Sequence, residues 1–380
     1  MGKEKVLFGI DKLLRLTPDW KGQRIGLLTN DGAHTITGQQ SRTSLVEKGF
    51  NVVRLFSPEH GIKTTGVDGA WMPHQIDDFT NLPVISLYQD NQSVDNKYIE
   101  DLDVLLVDLP DVGARFYTYV WTMTFFLEAA SRTKTKIVVL DRPNPMGGNT
   151  LWSEGPALHS SCESFIGRFD IPITHHCTLG ELALYFNHTE QWGAELSVVS
   201  CEWNRHLIYT DWNVSWVNPS PAMINFDAVK LYPGLCLLEG TNFLVGRNTP
   251  YSFQWIGNPK LDLRGFKFDF PHVLSINRTV TCDGEKIHGV QFIPNISFHS
   301  PVEFGLMLIY ELRIQYAEYF SWGLYPTQAN PSGSNHLDLL TGIPNSQELF
   351  SLERSGFINR IQRLLKTKWP ETIQPFLLYH

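Results

Sequence analysis

Short apolar runs alternate with helix-like segments through the first 200 residues of this chain. The runs are 24–30, 52–56, 84–88, 103–108, 136–141 and 196–200, and the helix-like segments include 39–49, 118–132 and 178–186. Strands that are apolar along their whole length are typical of parallel sheets covered by helices. The alternation predicts an α/β fold, a mostly parallel sheet with helices on both faces.

The second half of the chain has a different pattern. Residues 216–260 are rich in Pro, Gly and Asn, which predicts a long active-site loop or a domain junction. Residues 261–299 are rich in strand formers, most clearly at 288–293, and the spacing in 303–319 and 347–366 is helical. We therefore predict a larger domain over 1–250 and a smaller α+β domain over 251–380.

Composition excludes several classes of function. The 380 residues carry a net charge of −8, which argues against a nucleic-acid partner. The apolar runs are too short for a signal peptide or a membrane span, so we expect a cytoplasmic protein without a membrane partner. Five scattered cysteines predict neither a disulfide framework nor a zinc site, and we expect no metal and no cofactor. The oligomeric state stays open.

Several common catalytic motifs are missing from the sequence. It contains no G-x-G-x-x-G after the first strand and no G-x-x-x-x-G-K-[ST], so neither dinucleotide binding nor a P-loop has its usual signature. H-E-x-x-H and G-x-S-x-G are also missing. The sheet is therefore predicted to bind another kind of ligand, or a nucleotide without the usual fingerprint.

Polar loops follow the predicted strands. They are Thr29-Asn30, 57–61, 108–117 and 141–148. Ligands of open α/β sheets bind in the crevice beyond the carboxyl ends of the strands. The sequence thus predicts the functional site at this edge.

These loops and later segments carry long motifs. They read Leu55-Phe-Ser-Pro-Glu-His-Gly61, Asp108-Leu-Pro-Asp-Val-Gly-Ala-Arg-Phe-Tyr-Thr-Tyr119, Val139-Leu-Asp-Arg-Pro-Asn-Pro-Met-Gly-Gly148, Glu154-Gly-Pro156, Trp216-Val-Asn-Pro-Ser-Pro221 and Tyr232-Pro-Gly-Leu-Cys-Leu-Leu-Glu-Gly-Thr-Asn242. Together they resemble the ordered signatures of the NamZ family of exo-β-N-acetylmuramidases, also called glycoside hydrolase family 171. The resemblance covers nearly the whole chain.

The resemblance implies an exo-acting hydrolase that releases N-acetylmuramic acid from the non-reducing end of peptidoglycan fragments. It also implies a Rossmann-like larger domain, a smaller domain and a cleft between them. The family's proposed catalytic glutamate maps onto Glu59. The chain departs from the family pattern at Leu109-Pro110, at Cys177, at Ala222 and at 244–249 around Arg247.

Glycoside hydrolysis requires a carboxylic acid and a second group that stabilises or traps an oxocarbenium-like centre. Glu59 lies at a strand end and suits the acid/base role, which His60 can assist. For the second group we favour Asp111. Asp141, Glu154 and Glu239 are the other carboxylate candidates, and they double as substrate-binding candidates. Substrate assistance by a 2-acetamido group is a further route, and the sequence does not choose between these routes.

Recognition of muramic acid calls for a forked cation opposite its lactyl carboxylate. Other groups can hold hydroxyls or pack under the sugar ring. The candidates for substrate binding are Asn30, Arg115, Tyr117, Arg142, Asn144, His175, His176, Asn242 and Arg247. Each has an ordinary structural role open to it, such as an internal salt bridge, a turn or core packing.

Two alternative functions accompany this hypothesis. One is a related glycosidase with altered sugar specificity, suggested by the changed sequence around Arg247. The other is a non-catalytic sugar- or nucleotide-binding protein on the same sheet. A nicotinamide-dependent oxidoreductase is disfavoured because the glycine fingerprint is missing.

Overall fold

A computed structural model describes residues 6–70, 72–87 and 94–380. Its larger sheet contains β1 (Ile25–Leu28), β2 (Val52–Ser57), β3 (Gln75–Ile76), β4 (Pro83–Ser86), β5 (Val104–Val107), β6 (Lys136–Leu140) and β7 (Leu196–Val199). The strand order is β3-β4-β2-β1-β5-β6-β7, and every pair is parallel except β3 with β4. The predicted parallel sheet is confirmed. Tyr88, the last residue of the predicted third strand, lies outside the described residues.

Helices cover both faces of this sheet, as predicted. The helices in the two halves of the described chain are α1 (Gly9–Leu13), α2 (Ser41–Glu47), α3 (Tyr119–Ala130), α4 (Leu179–Thr189), α5 (Phe226–Leu235), α6 (Pro301–Gln315), α7 (His336–Thr341), α8 (Arg354–Leu364) and α9 (Trp369–Ile373). Successive strand residues enter different cores: Leu105 belongs to the core that contains Phe126 of α3, and Leu106 to the one that contains Leu45 of α2. Within the described ranges, no helix is long and apolar enough to cross a membrane.

The capping box predicted from the sequence begins α4. Thr178 Oγ1 accepts a hydrogen bond from Glu181 N at 3.2 Å, and Glu181 Oε2 accepts one from Thr178 N at 3.0 Å. Reciprocal bonds of this kind satisfy backbone donors that the first helical turn leaves unpaired. The cap therefore fixes where α4 starts after the loop that follows β6.

A second, antiparallel sheet lies in the C-terminal half. It consists of β8 (Trp255–Ile256), β9 (Val273–Cys282) and β10 (Glu285–Pro294) in the order β8-β10-β9. The β9–β10 hairpin turns at Asp283-Gly284, both with positive φ, as a two-residue type I′ turn requires. The strand-rich prediction for 261–299 is confirmed there.

Two predictions for the second half are corrected by the structure. The expected loop at 216–260 contains α5, which starts because the Asn225 side chain accepts a hydrogen bond from Ala228 N at 2.9 Å, and the 3₁₀ helix Cys236–Gly240. The helix expected at 347–366 is divided into the 3₁₀ helix Ser346–Ser351 and α8, because Leu352 and Glu353 are extended. The division near residue 250 stays a prediction.

Helices α5 and α6 approach closely because two glycines face each other. A β-carbon on Gly305 would lie 2.5 Å from the Cα of Gly234, far inside van der Waals contact. The contact holds α5 against the second half of the chain. It also fixes the start of the 3₁₀ helix that carries Glu239.

We predict that Gly305→Ala lowers the free energy of unfolding by about 1–3 kcal/mol, because the added methyl group overpacks a backbone contact. Gly356→Ala in α8 is the matched control, since its β-carbon would meet only Leu352 Cβ at 3.8 Å. Higher helix propensity should make that variant about 0.5–1 kcal/mol more stable. Urea denaturation measures both, and equal effects would contradict the packing argument.

Candidate active site

Glu59 lies in the turn that follows β2. The turn closes through a hydrogen bond from Gly61 N to Pro58 O at 3.1 Å, and His60 and Gly61 both have left-handed backbones. Glu59 is only 7% exposed, yet it lines a cleft. The strand end thus presents one nearly buried carboxyl group to an open space.

Two donors fix the Glu59 carboxylate. Its Oε1 accepts a hydrogen bond from Gly69 N at 2.6 Å, and its Oε2 accepts one from Thr118 Oγ1 at 2.5 Å. Gly69 has φ +63°, a conformation that L side chains rarely adopt, so a glycine suits this contact. Thr118 immediately precedes α3. The carboxylate is therefore positioned by loops that follow two different strands.

His60 lies beside two carboxylates. Its Nδ1 donates to Gly66 O at 2.8 Å, because a carbonyl can only accept. Its Nε2 lies 4.0 Å from Glu59 Oε2 and 3.8 Å from Asp68 Oδ1. The imidazole therefore spans the space between Glu59 and Asp68.

The other wall of the cleft comes from the second half of the chain. Arg247 Nε pairs with Glu239 Oε1, and Arg247 Nη1 lies 2.6 Å from Asp68 Oδ2. Tyr325 donates its hydroxyl to the same Asp68 oxygen at 3.0 Å. Asp68 thus connects the loop that bonds Glu59 to residues more than 170 positions further along the chain.

Glu239 is the most deeply embedded acid of this cluster. Burial would raise the pKa of Glu239, but the Arg247 guanidinium and the nearby His336 imidazole lower it to about 2. His336 Nε2 lies 4.0 Å from Glu239 Oε2, and its ring stacks on Tyr325 at 4.5 Å between centroids. Glu239 is therefore a fixed anion that holds Arg247 in the wall.

The empty space lined by these groups, including the part open to solvent, is about 820 Å³. Aromatic rings of Phe116, Tyr117 and Tyr232 also line this cleft. We call this space, from Glu59 to Arg247, the Glu59 cleft.

Five residues predicted from the sequence line the Glu59 cleft: Glu59, His60, Tyr117, Glu239 and Arg247. Tyr117 packs its ring between Tyr119 and Tyr232, with centroids 4.7 and 6.2 Å away. Burial raises the pKa of its phenol far above the usual value. Its ring is therefore a rigid part of the apolar wall.

Arg115 does not line the cleft. It is fully buried, and its three hydrogen bonds go to the carbonyl oxygens of Pro156, Ile171 and Leu340, at 2.8, 2.9 and 3.1 Å. Burial lowers the pKa of Arg115 to about 10. Its guanidinium ties α7 to the loops around the sheet and is not available to a substrate.

Four more predicted binding residues are satisfied by internal partners. Asp141 accepts from Thr178 Oγ1 and Gly180 N at the start of α4, and Glu154 accepts from the first amides of α6. Asn144 bonds to Cys177 O and Met146 N, and Asn30 to Tyr119, Pro219 and Gly32. None of the four is among the described residues that line the Glu59 cleft, so we leave them out of the proposed site.

Asp111 and Arg142 line a different cavity. Arg142 forms a buried two-point ion pair with Asp108, at 2.6 and 3.1 Å. Asp111 Oδ2 accepts from Gly113 N at 2.8 Å and lies 3.4 Å from His175 Nε2. The favoured second carboxylate is thus not in the cleft that contains Glu59.

The remaining two candidates, His176 and Asn242, line other openings. Burial lowers the pKa of His176 to about 4, although its Nδ1 donates to Gly147 O, and its cavity also contains Lys230. Asn242 bonds to Tyr319 O and Ser321 N. It lines an opening that shares Glu239 and Arg247 with the Glu59 cleft.

Sequence reasoning missed Asp68, Thr118, Tyr325 and His336. Asp68 had a detectable signal, because it stands in a Gly-Val-Asp-Gly segment nine residues after Glu59. Thr118 had one too, because it belongs to the second long motif. Tyr325 and His336 had none, since only the folded chain brings them to the cleft.

A nearly buried glutamate and a second carboxylate line one cleft, so the site has the pair of acids that is typical of glycoside hydrolases, here on an α/β sheet. Comparisons with known proteins specify the class further. Family models described as exo-β-N-acetylmuramidase NamZ, N-terminal and C-terminal, match residues 25–227 and 230–379. The chain belongs to this family.

Similar proteins support this family assignment. A peptidoglycan β-N-acetylmuramidase NamZ from Bacillus subtilis (strain 168) is 36% identical over 342 residues, which cover 84% of this chain and 80% of the relative. Crystal structures of two DUF1343 family proteins from Bacteroides fragilis NCTC 9343 superpose with TM-scores of 0.82 and 0.72, at 25% and 27% identity. Each alignment covers 99% of both chains.

The depressed pKa of Glu239 gives a prediction about acid stability. A carboxyl group whose pKa is lower in the folded protein than in the unfolded chain stabilises the fold at pH values above its pKa in the unfolded chain. This stabilisation is lost as the pH falls toward its pKa in the folded protein. Between about pH 4.5 and pH 2, the wild type should lose on the order of 3 kcal/mol more unfolding free energy than Glu239→Gln. Urea denaturation across this range measures the loss. Glu318→Gln, on the exposed surface, should follow the wild type, and parallel curves for E239Q would contradict the ion-pair account.

Proposed function

We propose that this protein releases N-acetylmuramic acid from the non-reducing end of peptidoglycan fragments, with Glu59 as the acid/base. The observation that carries the proposal is the position of Glu59 at the strand end, nearly buried, in the same cleft as Asp68 and Arg247. The name of the B. subtilis relative supports the substrate class. The five cysteines are all buried free thiols, which supports a reducing, cytoplasmic location.

In the proposed reaction, Glu59 protonates the glycosidic oxygen as the bond to the leaving sugar breaks, and a water molecule then adds to the anomeric carbon and returns a proton to Glu59. A general acid must lie within about 2.6–3.2 Å of the atom that it protonates. The bonds from Gly69 and Thr118 hold the carboxyl group at one wall of the cleft. A terminal sugar that fills the cleft can therefore bring its glycosidic oxygen to a fixed donor.

Asp68 supplies the second carboxylate in this proposal, in place of Asp111. It lines the cleft beside His60, whereas Asp111 lines another cavity. Arg247 and Tyr325 both bond its Oδ2, which leaves Oδ1 on the His60 side. A carboxylate fixed in this way suits electrostatic stabilisation of the positive charge that develops at the anomeric carbon.

Arg247 is the cation that we assign to the lactyl carboxylate. Its Nε and Nη1 are engaged by Glu239 and Asp68, and they hold the guanidinium plane across the cleft. Arginine offers five N–H donors in a rigid fork, so a group bound on two edges still has donors for a substrate carboxylate. Because Arg247 already pairs with two carboxylates, a ligand bound here must compete with Glu239 and Asp68 for its positive charge.

We predict that Glu59→Gln lowers kcat on N-acetylmuramyl-N-acetylglucosamine by about 10²–10⁴-fold, because the amide cannot deliver a proton. NMR during turnover identifies the released sugar and the anomer that forms first. Glu318→Gln, an exposed change of the same chemistry, is the control and should keep wild-type turnover. Near-wild-type turnover by E59Q would remove Glu59 from the mechanism.

The same assay tests sugar specificity. N-acetylmuramic, N-acetylglucosamine and hexuronic acid chromogenic glycosides are compared with the wild-type protein. We expect cleavage of the muramic substrate. Activity on the other glycosides alone would support the altered-specificity alternative. Ligand binding without product on long incubation would support a non-catalytic protein.

The second-carboxylate assignment predicts that Asp68→Asn lowers kcat by about 10–10³-fold, because transition-state charge loses a fixed anion. Tyr325→Phe removes one hydrogen bond to Asp68 and should cost less, about 3–10-fold. Asp111→Asn is the comparison that decides between the two acids. A larger loss of kcat in D111N than in D68N would contradict the assignment.

A further inference from the structure

A groove adjoins the Glu59 cleft on the side of Arg247, and we call it the Asn242 groove. Its described lining consists of Glu239, residues 241–249, residues 281–283, Leu324 and Tyr325. Its empty space, including the part open to solvent, is about 940 Å³, similar to the 820 Å³ of the Glu59 cleft. The protein therefore has room for further atoms immediately beyond Arg247.

A dividing wall of three residues lies between the two spaces. Glu239, Arg247 and Tyr325 line both the Glu59 cleft and the Asn242 groove. Arg247 Nε pairs with Glu239, and its Nη1 lies 2.6 Å from Asp68 Oδ2, which also accepts the Tyr325 hydroxyl at 3.0 Å. Charge-assisted hydrogen bonds of this kind are short and strong. The side chains of the wall are therefore bonded into one unit through Asp68.

Tyr325 stands where the chain passes from one space to the other. Leu324 lines the Asn242 groove, whereas Thr327 lines the Glu59 cleft. The Tyr325 ring stacks on His336 with 4.5 Å between centroids and 15° between planes. The stack and the hydroxyl bond to Asp68 hold the ring at both ends, so it forms a fixed part of the dividing wall.

The proposed binding mode directs one end of the substrate toward this wall. It places the anomeric carbon beside Glu59 and the lactyl carboxylate on Arg247. Muramic acid carries its lactyl group on O3, next to O4, and C4 lies opposite C1 across the pyranose ring. The O4 atom of the bound residue therefore lies on the side of the dividing wall. Within a glycan chain the preceding sugar is attached through this oxygen and would meet the wall.

The groove behind the wall has the groups that a sugar needs. Asn248, Thr281 and Asp283 are exposed in its lining and supply an amide, a hydroxyl and a carboxylate. Together these groups both donate and accept hydrogen bonds, as sugar hydroxyls require. Leu244 and Leu324 add exposed apolar surface. The dividing wall, rather than the groove, is therefore the obstacle to a longer chain.

We propose that the dividing wall restricts hydrolysis to a terminal muramic residue, with the Tyr325 ring as its specificity-determining part. The Asn242 groove behind it accepts a sugar attached to O4 once that ring is removed. This inference rests on the proposed function and deepens it. The proposed hydrolysis states which bond breaks, and the wall explains why the same bond inside a glycan chain is protected.

Two substrates that contain the same scissile bond test the wall. One is N-acetylmuramyl-N-acetylglucosamine, and the other carries an additional N-acetylglucosamine β-linked to O4 of the muramic residue. Product chromatography gives kcat/KM for each. We expect the wild type to cleave the capped substrate at least about 100-fold less efficiently, because the cap meets the wall. No turnover of the uncapped substrate would refute the proposed function and the wall together, whereas similar turnover of both would refute the wall alone.

Tyr325→Ala and Tyr325→Phe form a matched pair of variants. Both lose the hydrogen bond to Asp68, so both should lose activity on the uncapped substrate, but only the alanine variant opens the wall. The ratio of capped to uncapped kcat/KM should rise at least about 10-fold in Y325A relative to Y325F. Equal ratios in the two variants would overturn the proposal.

Binding provides a test that does not depend on the folding of Y325A. Calorimetry with the full-length Glu59→Gln protein compares the two substrates without turnover. The capped substrate should bind at least about 30-fold more weakly than the uncapped one. Equal affinities would overturn the proposal, whatever the kinetic variants show.

Filling the groove tests which sugar it accepts. Thr281→Trp fills the Asn242 groove, so in the Y325A background it should abolish the gained cleavage of the capped substrate. Thr279→Trp, an exposed site on the same strand outside the described groove lining, is the control and should keep that gain. Thr281→Trp alone should leave KM for the uncapped substrate within about 2-fold of the wild type. A larger rise in KM would place the leaving sugar in the groove and overturn the assignment.

Discussion

The larger sheet is buried on both faces, and this constraint determines where the protein can do chemistry. Leu105 and Leu106 are adjacent in β5, yet each belongs to a different core. Because helices cover both faces of such a sheet, its polar functional loops lie at the edge formed by the carboxyl ends of the strands. The Glu59 cleft and the cavity that contains Asp111 both lie at this edge. The lining of the Glu59 cleft includes residues from the second half of the chain, such as Arg247 and Tyr325. The described lining of the other cavity comes from residues 8–219.

Electrostatics distinguishes the two cavities. In the Glu59 cleft, Arg247 pairs with both Glu239 and Asp68. The residue after Asp68, Gly69, donates a backbone hydrogen bond to the Glu59 carboxylate. The acid and the cation are therefore coupled through one short segment. In the cavity lined by Asp111 and Arg142, the Arg142 guanidinium forms a two-point ion pair with Asp108, which directly follows β5. The cation of the Glu59 cleft is thus coupled to the loop that positions Glu59, and the cation of the other cavity is coupled to the loop after β5.

Sequence patterns predicted the fold and five residues that line the Glu59 cleft, for physical reasons that can be stated. The strands and Glu59 lie in contiguous motifs, so local sequence contains most of the information. Asp68, Tyr325 and His336 meet only through tertiary contacts, one of which spans 257 positions. Asp111 was misleading because β2 and β5 lie on opposite sides of β1, about 10 Å apart at the usual strand spacing. The end of the loop after β5, at Phe116, Tyr117 and Thr118, lines the Glu59 cleft, whereas its beginning, at Asp111, lines the cavity that contains Arg142.

Arg115 illustrates a second limit of sequence reasoning. An arginine in a conspicuous motif looks like an anion receptor, but here its donors go to three backbone carbonyls. The need to pair buried carbonyls is a property of the folded loops and leaves no trace in the spacing of residues.

A structure of Glu59→Gln bound to N-acetylmuramyl-N-acetylglucosamine tests the central claim most directly. The account predicts the muramic residue in the Glu59 cleft, its lactyl carboxylate on Arg247, and the residue 59 side chain within about 3.2 Å of the glycosidic oxygen. A muramic residue bound in the cavity lined by Asp111 and Arg142, or a glycosidic oxygen beyond the reach of residue 59, would contradict it.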